Sequence, residues 1–171
     1  MNRALILTAI FFLSVVMVSC GVDDDDLNNT EPCTDNDKFC HSYDGLDWSD
    51  ASSEKMNWDD AIKYCENLGG RLPTISELRT LIQNCPGTET GGECGVTDEC
   101  LSYEDCRTDP CGGCEEDSSG KYSVFGDSDW FWSSSEQSGD AGRAWLVYFY
   151  NGSVLYYYTK YYFYYHVRCV H

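Results

Sequence analysis

Cysteine is the residue type in this sequence with the widest range of chemistry. The chain has 11 cysteines, and those after Cys20 stand at positions 33, 40, 65, 85, 94, 100, 106, 111, 114 and 169. This even number in an exported chain predicts a framework of five disulfides as the default. Cys111-Gly-Gly-Cys114 also has the spacing of a redox pair or of half a zinc site. Because no helix signal follows Cys114 and no histidine lies near it in sequence, we favour disulfides.

The other residue types that are common in catalytic sites do not form a recognisable catalytic set in this sequence. The histidines are His41, His166 and His171, two of them near the end of the chain. No Ser/His/Asp or Cys/His set stands out, so we expect no enzymatic activity.

Carboxylates in the cysteine-rich segment raise the question of calcium. The acidic residues there are Asp98, Glu99, Glu104, Asp105, Asp109, Glu115, Glu116 and Asp117. Carboxylates fixed by nearby disulfides could hold Ca²⁺, but a solvated charged surface is the more common outcome. We therefore expect no cofactor and no metal site, with calcium as the open alternative.

The overall charge excludes several classes of partner. A formal net charge of −18 repels nucleic-acid backbones and anionic membrane surfaces. With 42% hydrophobic and 15% aromatic residues, the chain still has enough apolar surface to fold.

The N-terminus has the pattern of an export signal. Arg3 precedes an apolar run, Ala4–Val18, that is too short for a comfortable membrane span. Met17-Val18-Ser19-Cys20 resembles the lipobox of bacterial lipoproteins, which implies acylation of Cys20. An ordinary cleaved signal with a stray cysteine is the alternative. By resemblance to enterobacterial sorting, Gly21 favours the outer membrane.

The remaining chain divides into a tether and one domain. Residues 1–20 are the predicted signal, and residues 21–32 form an acidic, self-repelling tether. The domain is predicted over residues 33–171. Within it, residues 85–118 are predicted to be an insertion held by disulfides whose connectivity the sequence does not determine.

Two helices are predicted by their caps and apolar spacing. Asn57 can cap a helix with an apolar stripe that ends at Gly69-Gly70. Thr74-Ile75-Ser76-Glu77 is a capping box for a second helix that stops before Cys85.

The C-terminal third predicts antiparallel strands. Asn151-Gly152 predicts a hairpin with a two-residue loop, in which Tyr150 faces Ser153. A short strand is also plausible over residues 45–50, and a last strand over Tyr165–Val170 would point Arg168 outward. By the same alternation, Val167 and Cys169 point inward.

Tyrosines concentrate on one predicted face of this hairpin. Nine of the 13 tyrosines lie between Tyr148 and Tyr165. The core face is predicted to carry Trp145, Val147, Phe149, Val154, Tyr156 and Tyr158. The outward face is predicted to bind ligand through Leu146, Tyr148, Tyr150, Ser153, Leu155 and Tyr157, with Tyr161, Tyr162 and Tyr164 nearby. Such an aromatic patch is rarely exposed without a partner.

The order of motifs resembles one bacterial family. The motifs are Trp58-x-x-Ala61-x-x-Tyr64-Cys65-x-x-Leu68, Arg71-Leu72-Pro73-Thr74-x-x-Glu77-Leu78, Trp132-Ser133-Ser134-Ser135, Ala144-Trp145-x-Val147-x-Phe149-x-x-Gly152-x-Val154 and Val167-Arg168-Cys169-Val170. They resemble the DUF1566 family, named also for the C-terminal domain of the Legionella collagen-like adhesin. The resemblance covers about Leu46 to Val170, and the cysteine-rich insertion and the tether lie outside it.

This resemblance implies an α+β fold of the C-type lectin-like type, with two helices, a C-terminal antiparallel sheet and the disulfide-rich insertion. It also implies a disulfide between Cys65 and Cys169, which occupy the places where such domains join their first helix to their last strand. The sugar-binding calcium motifs of C-type lectins do not occur here.

The expected function is recognition at the cell envelope. The Tyr-rich face is predicted to bind a glycan or a protein, and the acidic charge favours uncharged glycans or basic protein surfaces. The alternative is a structural envelope protein that uses this face as a subunit interface, so an oligomer is possible.

Overall fold

The chain folds into a mixed α and β structure with two antiparallel sheets. The computed structural model describes residues 31–157 and 160–171, so the predicted signal, Cys20 and most of the tether lie outside the described residues. The elements are β1 (His41–Tyr43), β2 (Leu46–Trp48), α1 (Trp58–Leu68), α2 (Ile75–Thr80), α3 (Tyr103–Cys106), a 3₁₀ helix (Asp109–Gly112), β3 (Trp130–Gln137), β4 (Asp140–Tyr148) and β5 (Ser153–Tyr157). Within the described residues, no helix is long and apolar enough to cross a membrane.

Both predicted helices form, each with its predicted N-cap. The Asn57 side chain accepts a hydrogen bond from the Asp60 backbone N–H, and Gly69 ends α1 with a φ of +98°. The capping box of α2 is complete between Thr74 and Glu77. This helix ends at Thr80, earlier than its apolar stripe indicates.

β3, β4 and β5 form the larger sheet, in that order. The sequence did not predict β3, which begins with the aromatic run Trp130–Trp132. Pairing between β3 and β4 is irregular between Trp132 and Glu136, where the run of three serines lies. The polar groups of that run bond to other elements: Ser133 O accepts from Trp58 Nε1 at 2.7 Å, and Ser135 Oγ accepts from the Ile75 N–H at 2.8 Å. The serine run therefore attaches α1 and α2 to the sheet.

The hairpin between β4 and β5 has a longer loop than predicted. Tyr148 pairs with Ser153, so the loop has four residues, and the predicted pairing of Tyr150 with Ser153 is wrong. Only Gly152 of the Asn-Gly pair takes a positive φ, +67°. The loop is fixed by distant backbone groups: Phe149 N–H donates to Asp129 O at 3.0 Å, and Cys114 N–H donates to Asn151 O at 2.7 Å. Since the register moves by two residues, the side chains that were predicted to share one side of the sheet still share it.

Both faces of this sheet are largely covered. Trp145, Val147 and Val154 lie in a first core with α2 and residues of the cysteine-rich segment. Leu146 lies in a second core with α1 and the C-terminal segment. Leu146 and Ser153 are 0% and 1% exposed, so their predicted outward orientation is wrong. Leu146 is buried because α1 and the C-terminal segment pack against the face that was expected to meet solvent, and the backbone of Ser153 lies against Gly113 of the insertion.

The C-terminal segment forms isolated bridges in place of the predicted last strand. Tyr165 bridges Met56, and Val170 bridges both Trp48 and Arg71. Val167 and Cys169 are buried as predicted, but Arg168 is buried too, which corrects its outward placement.

Arg168 is buried because it has partners for its charge. Its guanidinium bonds both carboxylate oxygens of Asp127, at 2.8 and 2.9 Å, and donates to Ser49 O at 2.7 Å. The attraction and the hydrogen bonds of this bidentate pair compensate for the cost of removing the two charges from water.

Five disulfides stabilise the described chain, the number expected by default. Cys65 bridges Cys169 and joins α1 to the C-terminal segment, as the family resemblance implied. The six cysteines of the insertion pair with one another in a nested order: Cys85–Cys114, Cys94–Cys111 and Cys100–Cys106. The fifth bridge, Cys33–Cys40, lies at the start of the domain.

Candidate binding surface

Five stacked rings lie at one side of the larger sheet, and we call them the aromatic ladder: Tyr150, Tyr148, Trp130, Tyr165 and Phe163. Trp130 and Tyr148 stack almost face to face, with ring centroids 3.9 Å apart and planes 7° apart. Tyr150 continues the stack from Tyr148 at 5.5 Å. On the other side, Tyr165 lies 5.6 Å from Trp130, and Phe163 lies 6.1 Å from Tyr165.

Pairing of β3 with β4 explains the centre of the ladder. Trp130 is the register partner of Tyr148, so their side chains project from the same face of the sheet. Tyr165 reaches them because its backbone N–H and C=O both bond Met56, at 3.0 and 2.9 Å. Its ring also packs edge-on against Trp132 at 4.7 Å. The buried side of the ladder is thereby fixed by the second core.

The ladder is only partly covered. Tyr165 is 8% exposed, whereas Tyr148, Tyr150, Trp130 and Phe163 are half-buried. Each half-buried ring keeps apolar area in contact with solvent, and that area is available for stacking with a ligand.

Three tyrosines next to Phe163 in sequence are far more exposed. Tyr161, Tyr162 and Tyr164 are 62%, 78% and 56% exposed, and they are the exposed large hydrophobic side chains of the described residues. We call the ladder together with these three tyrosines the aromatic surface.

Carboxylates adjoin the ladder. Asp129 accepts from the Trp130 N–H at 2.7 Å and pairs with Lys55 at 2.6 Å. Burial opposes its ionisation, but the bonds from Lys55 and Trp130 outweigh burial and lower the pKa of Asp129. The pKa of Tyr148 is raised, first by burial and then by the charges of Glu116 and Asp129 and by Tyr150. Glu116 and Asp129 therefore place negative charge near Tyr148, and Lys55 offsets part of the charge of Asp129.

The structure separates the predicted ligand-binding residues into groups. Tyr148 and Tyr150 belong to the ladder, and Tyr161, Tyr162 and Tyr164 are exposed and lie within two residues of the ladder member Phe163 in the sequence. Leu155 is half-buried against the second core, with Leu146 and Ser153 buried. The side chain of Tyr157 lies outside the described residues, as does Tyr158.

Sequence reasoning missed Trp130, Phe163 and Tyr165 as members of this surface. A usable signal was present for Trp130, because it stands two residues before Trp132 and so shares its face in an extended strand. No comparable signal marked Tyr165, whose position depends on its bridge to Met56.

The acidic residues of the insertion make local contacts. Asp98 accepts from Ser76 N–H at 3.2 Å, Asp105 from Ser102 Oγ at 2.7 Å, and Asp117 pairs with Lys121 at 2.9 Å. They do not gather into a group of three or more metal-ligating side chains within the described part of the chain, where the group found is Cys33, Cys40, His41 and Asp50.

A separate cavity of about 320 Å³ lies between α1 and the segment that leads into α2. Its lining residues are Ile62, Glu66, Arg71, Leu72, Thr74 and Ser134. Arg71 is already paired with Glu77 through two bonds of 2.6 Å, so the cavity offers a largely apolar floor and few unsatisfied groups to orient a ligand.

Comparison with known proteins identifies the family. A family model described as the Lcl C-terminal domain matches residues 39–171. The chain belongs to the Lcl C-terminal domain family. The match includes the whole aromatic ladder and the cysteine-rich insertion, and it confirms the family that the motif order indicated. No curated protein and no solved structure matches the chain.

Proposed function

We propose that this Lcl-family protein is a recognition module of the bacterial cell envelope that binds a glycan or a protein through its aromatic surface. The observation that carries the proposal is the aromatic surface: five stacked rings beside three tyrosines that are 56–78% exposed. Membership of a family named for an adhesin supports a role at the cell surface.

The chemistry of the aromatic surface favours some classes of ligand over others. Sugar rings stack on aromatic faces, and the tyrosine hydroxyls and the Asp129 carboxylate offer hydrogen-bonding groups at its edge. The net charge of −18 and the carboxylates beside the ladder disfavour sulfated or phosphorylated ligands. Neutral glycans and basic protein segments fit these properties, since a cation also gains from contact with a tyrosine face.

We further infer a C-type lectin-like arrangement for the domain. Support comes from the Cys65–Cys169 bridge between α1 and the C-terminal segment, and from the hairpin that forms two of the strands of the larger sheet. An experimental structure whose fold differs from that class would contradict this inference.

Binding to glycan and surface-protein arrays tests the proposed function. The test variant is Tyr161→Ser/Tyr162→Ser/Tyr164→Ser, because these exposed side chains contribute least to the core. We expect the wild type to bind one ligand class and the variant to lose at least about 10-fold in affinity, since three aromatic contacts are removed. Equal melting temperatures would show that the variant is folded.

The matched control replaces exposed side chains of the insertion: Glu99→Gln/Glu104→Gln/Glu115→Gln. This variant should bind as the wild type does. Loss of binding in the control with full binding by the tyrosine variant would move the site to the insertion. If neither chain binds and sedimentation shows a stable oligomer that protects the tyrosines from modification, the surface is a subunit interface and the recognition role is wrong.

We also propose that Cys20 is acylated and anchors the protein in the outer membrane. The support is the lipobox-like sequence Met17-Val18-Ser19-Cys20 and the Gly21 that follows it. Metabolic labelling with a fatty-acid analogue should label the wild type and spare Cys20→Ser. Equal labelling of both chains would refute the anchor.

A further inference from the structure

Four side chains with metal-binding atoms meet at the start of the domain. The sulfurs of Cys33 and Cys40, a ring nitrogen of His41 and a carboxylate oxygen of Asp50 all lie within 4.8 Å of one another. His41 Nε2 lies 2.8 Å from Asp50 Oδ1, and the Cys33 N–H donates to Asp50 Oδ2 at 2.8 Å. These hydrogen bonds hold the imidazole and the carboxylate against each other, close to the two sulfurs.

The two sulfurs are joined in a disulfide that differs from the others in its exposure. Cys33 and Cys40 are both half-buried, whereas each of the other four bridges contains at least one cysteine that is 0–2% exposed. Thiol–disulfide exchange requires access of the attacking thiolate to a sulfur. Cys33–Cys40 presents two half-buried cysteines to an attacking thiolate, whereas Cys85–Cys114 and Cys100–Cys106 present one each. It is therefore the bridge that a dithiol reductant should open first.

We propose that this cluster is a redox-gated zinc site, in which Zn²⁺ binds Cys33, Cys40, His41 and Asp50 once the Cys33–Cys40 bridge is reduced. Two thiolates, one imidazole and one carboxylate are ligand types that zinc takes in tetrahedral sites. Oxidation removes two of the four ligands and therefore releases the ion. The proposal is independent of the proposed function of the aromatic surface.

The electrons and protons balance with a dithiol as reductant. The dithiol is oxidised to its own disulfide, and its two electrons and two protons convert the Cys33–Cys40 bridge to two thiols. Zn²⁺ then displaces both thiol protons to solvent. Zinc replaces the hydrogen bond between His41 Nε2 and Asp50 Oδ1. The proton that Nε2 donates in that bond is lost to solvent, Nδ1 takes up one proton from solvent, and His41 binds through Nε2 as neutral imidazole.

The local backbone permits the small movement that zinc needs. With two Zn–S bonds of about 2.3 Å in tetrahedral geometry, the sulfurs must separate to about 3.8 Å. Residues 34–38 between the two cysteines are exposed and make a reciprocal pair of bonds between Thr34 and Asp37, each 3.0 Å. Since these residues are exposed and neither Cys33 nor Cys40 belongs to the two cores, the loop can open without disturbing either core. The backbone of His41 and Asp50 can stay in place, because His41 is the first residue of β1 and Asp50 follows β2, and only their side chains need to turn toward the ion.

Zinc uptake by the purified full chain before and after mild dithiothreitol treatment tests the proposal. Alkylation and mass spectrometry of the treated chain should show Cys33 and Cys40 labelled and the other bridges intact. The reduced chain, freed of reductant, should bind about one Zn²⁺, and the oxidised chain none. Cobalt in place of zinc should add thiolate-to-metal absorption only in the reduced chain.

Two ligand variants and one bridge variant separate this site from unspecific uptake. His41→Gln and Asp50→Asn, each reduced in the same way, should lose more than about 100-fold in zinc affinity, since even outer-shell partners contribute about 10–100-fold. Cys100→Ser/Cys106→Ser is the control, because it removes the other short bridge, whose cysteines are six residues apart where Cys33 and Cys40 are seven apart. This variant, reduced in the same way, should bind zinc as the wild type does. Near-UV circular dichroism of each chain reports whether it remains folded.

Three results would overturn the proposal. The first is a reduced, folded wild type that takes up no zinc. The second is undiminished affinity in both His41→Gln and Asp50→Asn. The third is a reductant that opens a buried bridge before Cys33–Cys40.

Discussion

Two buried serine hydroxyls of the larger sheet have opposite effects on the stability of the fold. Ser133 Oγ is buried and donates to Trp145 O at 2.7 Å, so its polar group is satisfied. Ser153 is also buried, but its Oγ has no hydrogen-bond partner. A buried hydroxyl without a partner costs stability, since it gives up water and gains nothing in return.

We predict that Ser153→Ala raises the free energy of unfolding by about 1 kcal/mol, because it removes this unsatisfied hydroxyl. Urea unfolding at neutral pH measures the change. Ser133→Ala is the matched control and should lower the free energy of unfolding by a similar amount. A lower stability for Ser153→Ala would show that its hydroxyl has a partner. Ligand binding should be unchanged in Ser153→Ala, since that side chain does not reach the surface.

At the scale of elements, α2 depends on one carboxylate. Glu77 completes the capping box by accepting from the Thr74 N–H at 2.8 Å, and it also receives two bonds from Arg71. Burial opposes its ionisation, yet the bonds from Arg71 and Thr74 outweigh burial and lower the pKa of Glu77 below 4.5. The ionised carboxylate therefore stabilises the fold above pH 4.5, and this contribution is lost as pH falls through the folded-state pKa.

We predict that Glu77→Gln lowers the free energy of unfolding by about 1 kcal/mol at pH 7, because the amide can still cap α2 but loses the charge that pairs with Arg71. The difference from the wild type should shrink as the pH falls below 4.5 and through the lowered folded-state pKa of Glu77, where the wild-type carboxylate becomes protonated. Urea unfolding at pH 7 and at successively lower pH measures it. Glu54→Gln, at an exposed carboxylate, is the control and should change little. A difference that does not vary with pH would contradict the role given to the charge.

The β4–β5 hairpin depends on Gly152 in a similar way. Its φ is +67°, and a Cβ added there would lie 3.1 Å from Cys85 Cβ. We predict that Gly152→Ala lowers the free energy of unfolding by more than about 1 kcal/mol, because it combines backbone strain with a close contact. Thermal unfolding measures the loss. Gly112→Ala, where the added Cβ meets nothing within 4 Å, should be nearly neutral. Equal effects at both glycines would refute this account.

At the scale of the whole molecule, the disulfides differ in what they constrain. Cys65–Cys169 connects residues 104 apart and ties α1 to the C-terminal segment, whereas Cys100–Cys106 closes a loop of six within the insertion. In the chain-entropy account, the constraint on the unfolded chain grows with loop length.

We predict that Cys65→Ala/Cys169→Ala lowers the free energy of unfolding by about 5 kcal/mol, and Cys100→Ala/Cys106→Ala by about 2 kcal/mol. Urea unfolding of both variants under oxidising conditions measures the order. If the short bridge proves the more costly to remove, native-state packing in the insertion outweighs the entropy of the unfolded chain.

The aromatic surface also exists only at this scale. A high density of tyrosine near the C-terminus indicated it, but three of the five ladder rings were not among the predicted residues. Trp130, Phe163 and Tyr165 join the ladder because β3 pairs with β4 and because Tyr165 bridges Met56, which is more than 100 residues earlier in the chain.

The sequence by itself determined the features that depend on nearby residues. The caps at Asn57 and Thr74 act within three residues, and strand alternation sets which side chains share a face. Family membership followed from the order and spacing of motifs, and the Cys65–Cys169 pairing followed from the family. These signals need no knowledge of distant contacts.

Only the tertiary structure decided what depends on distant atoms. The hairpin register is fixed by Asp129 and Cys114, the second face of the sheet is covered by α1, and Arg168 is buried because Asp127 and Ser49 meet its charge. In each case the partner that decides the structure is remote in sequence. Its contribution to the free energy of folding outweighs the local preference that the turn signal or the strand alternation indicated. The same holds for the candidate sites: local sequence supplied the tyrosines and cysteines, and long-range packing chose their neighbours.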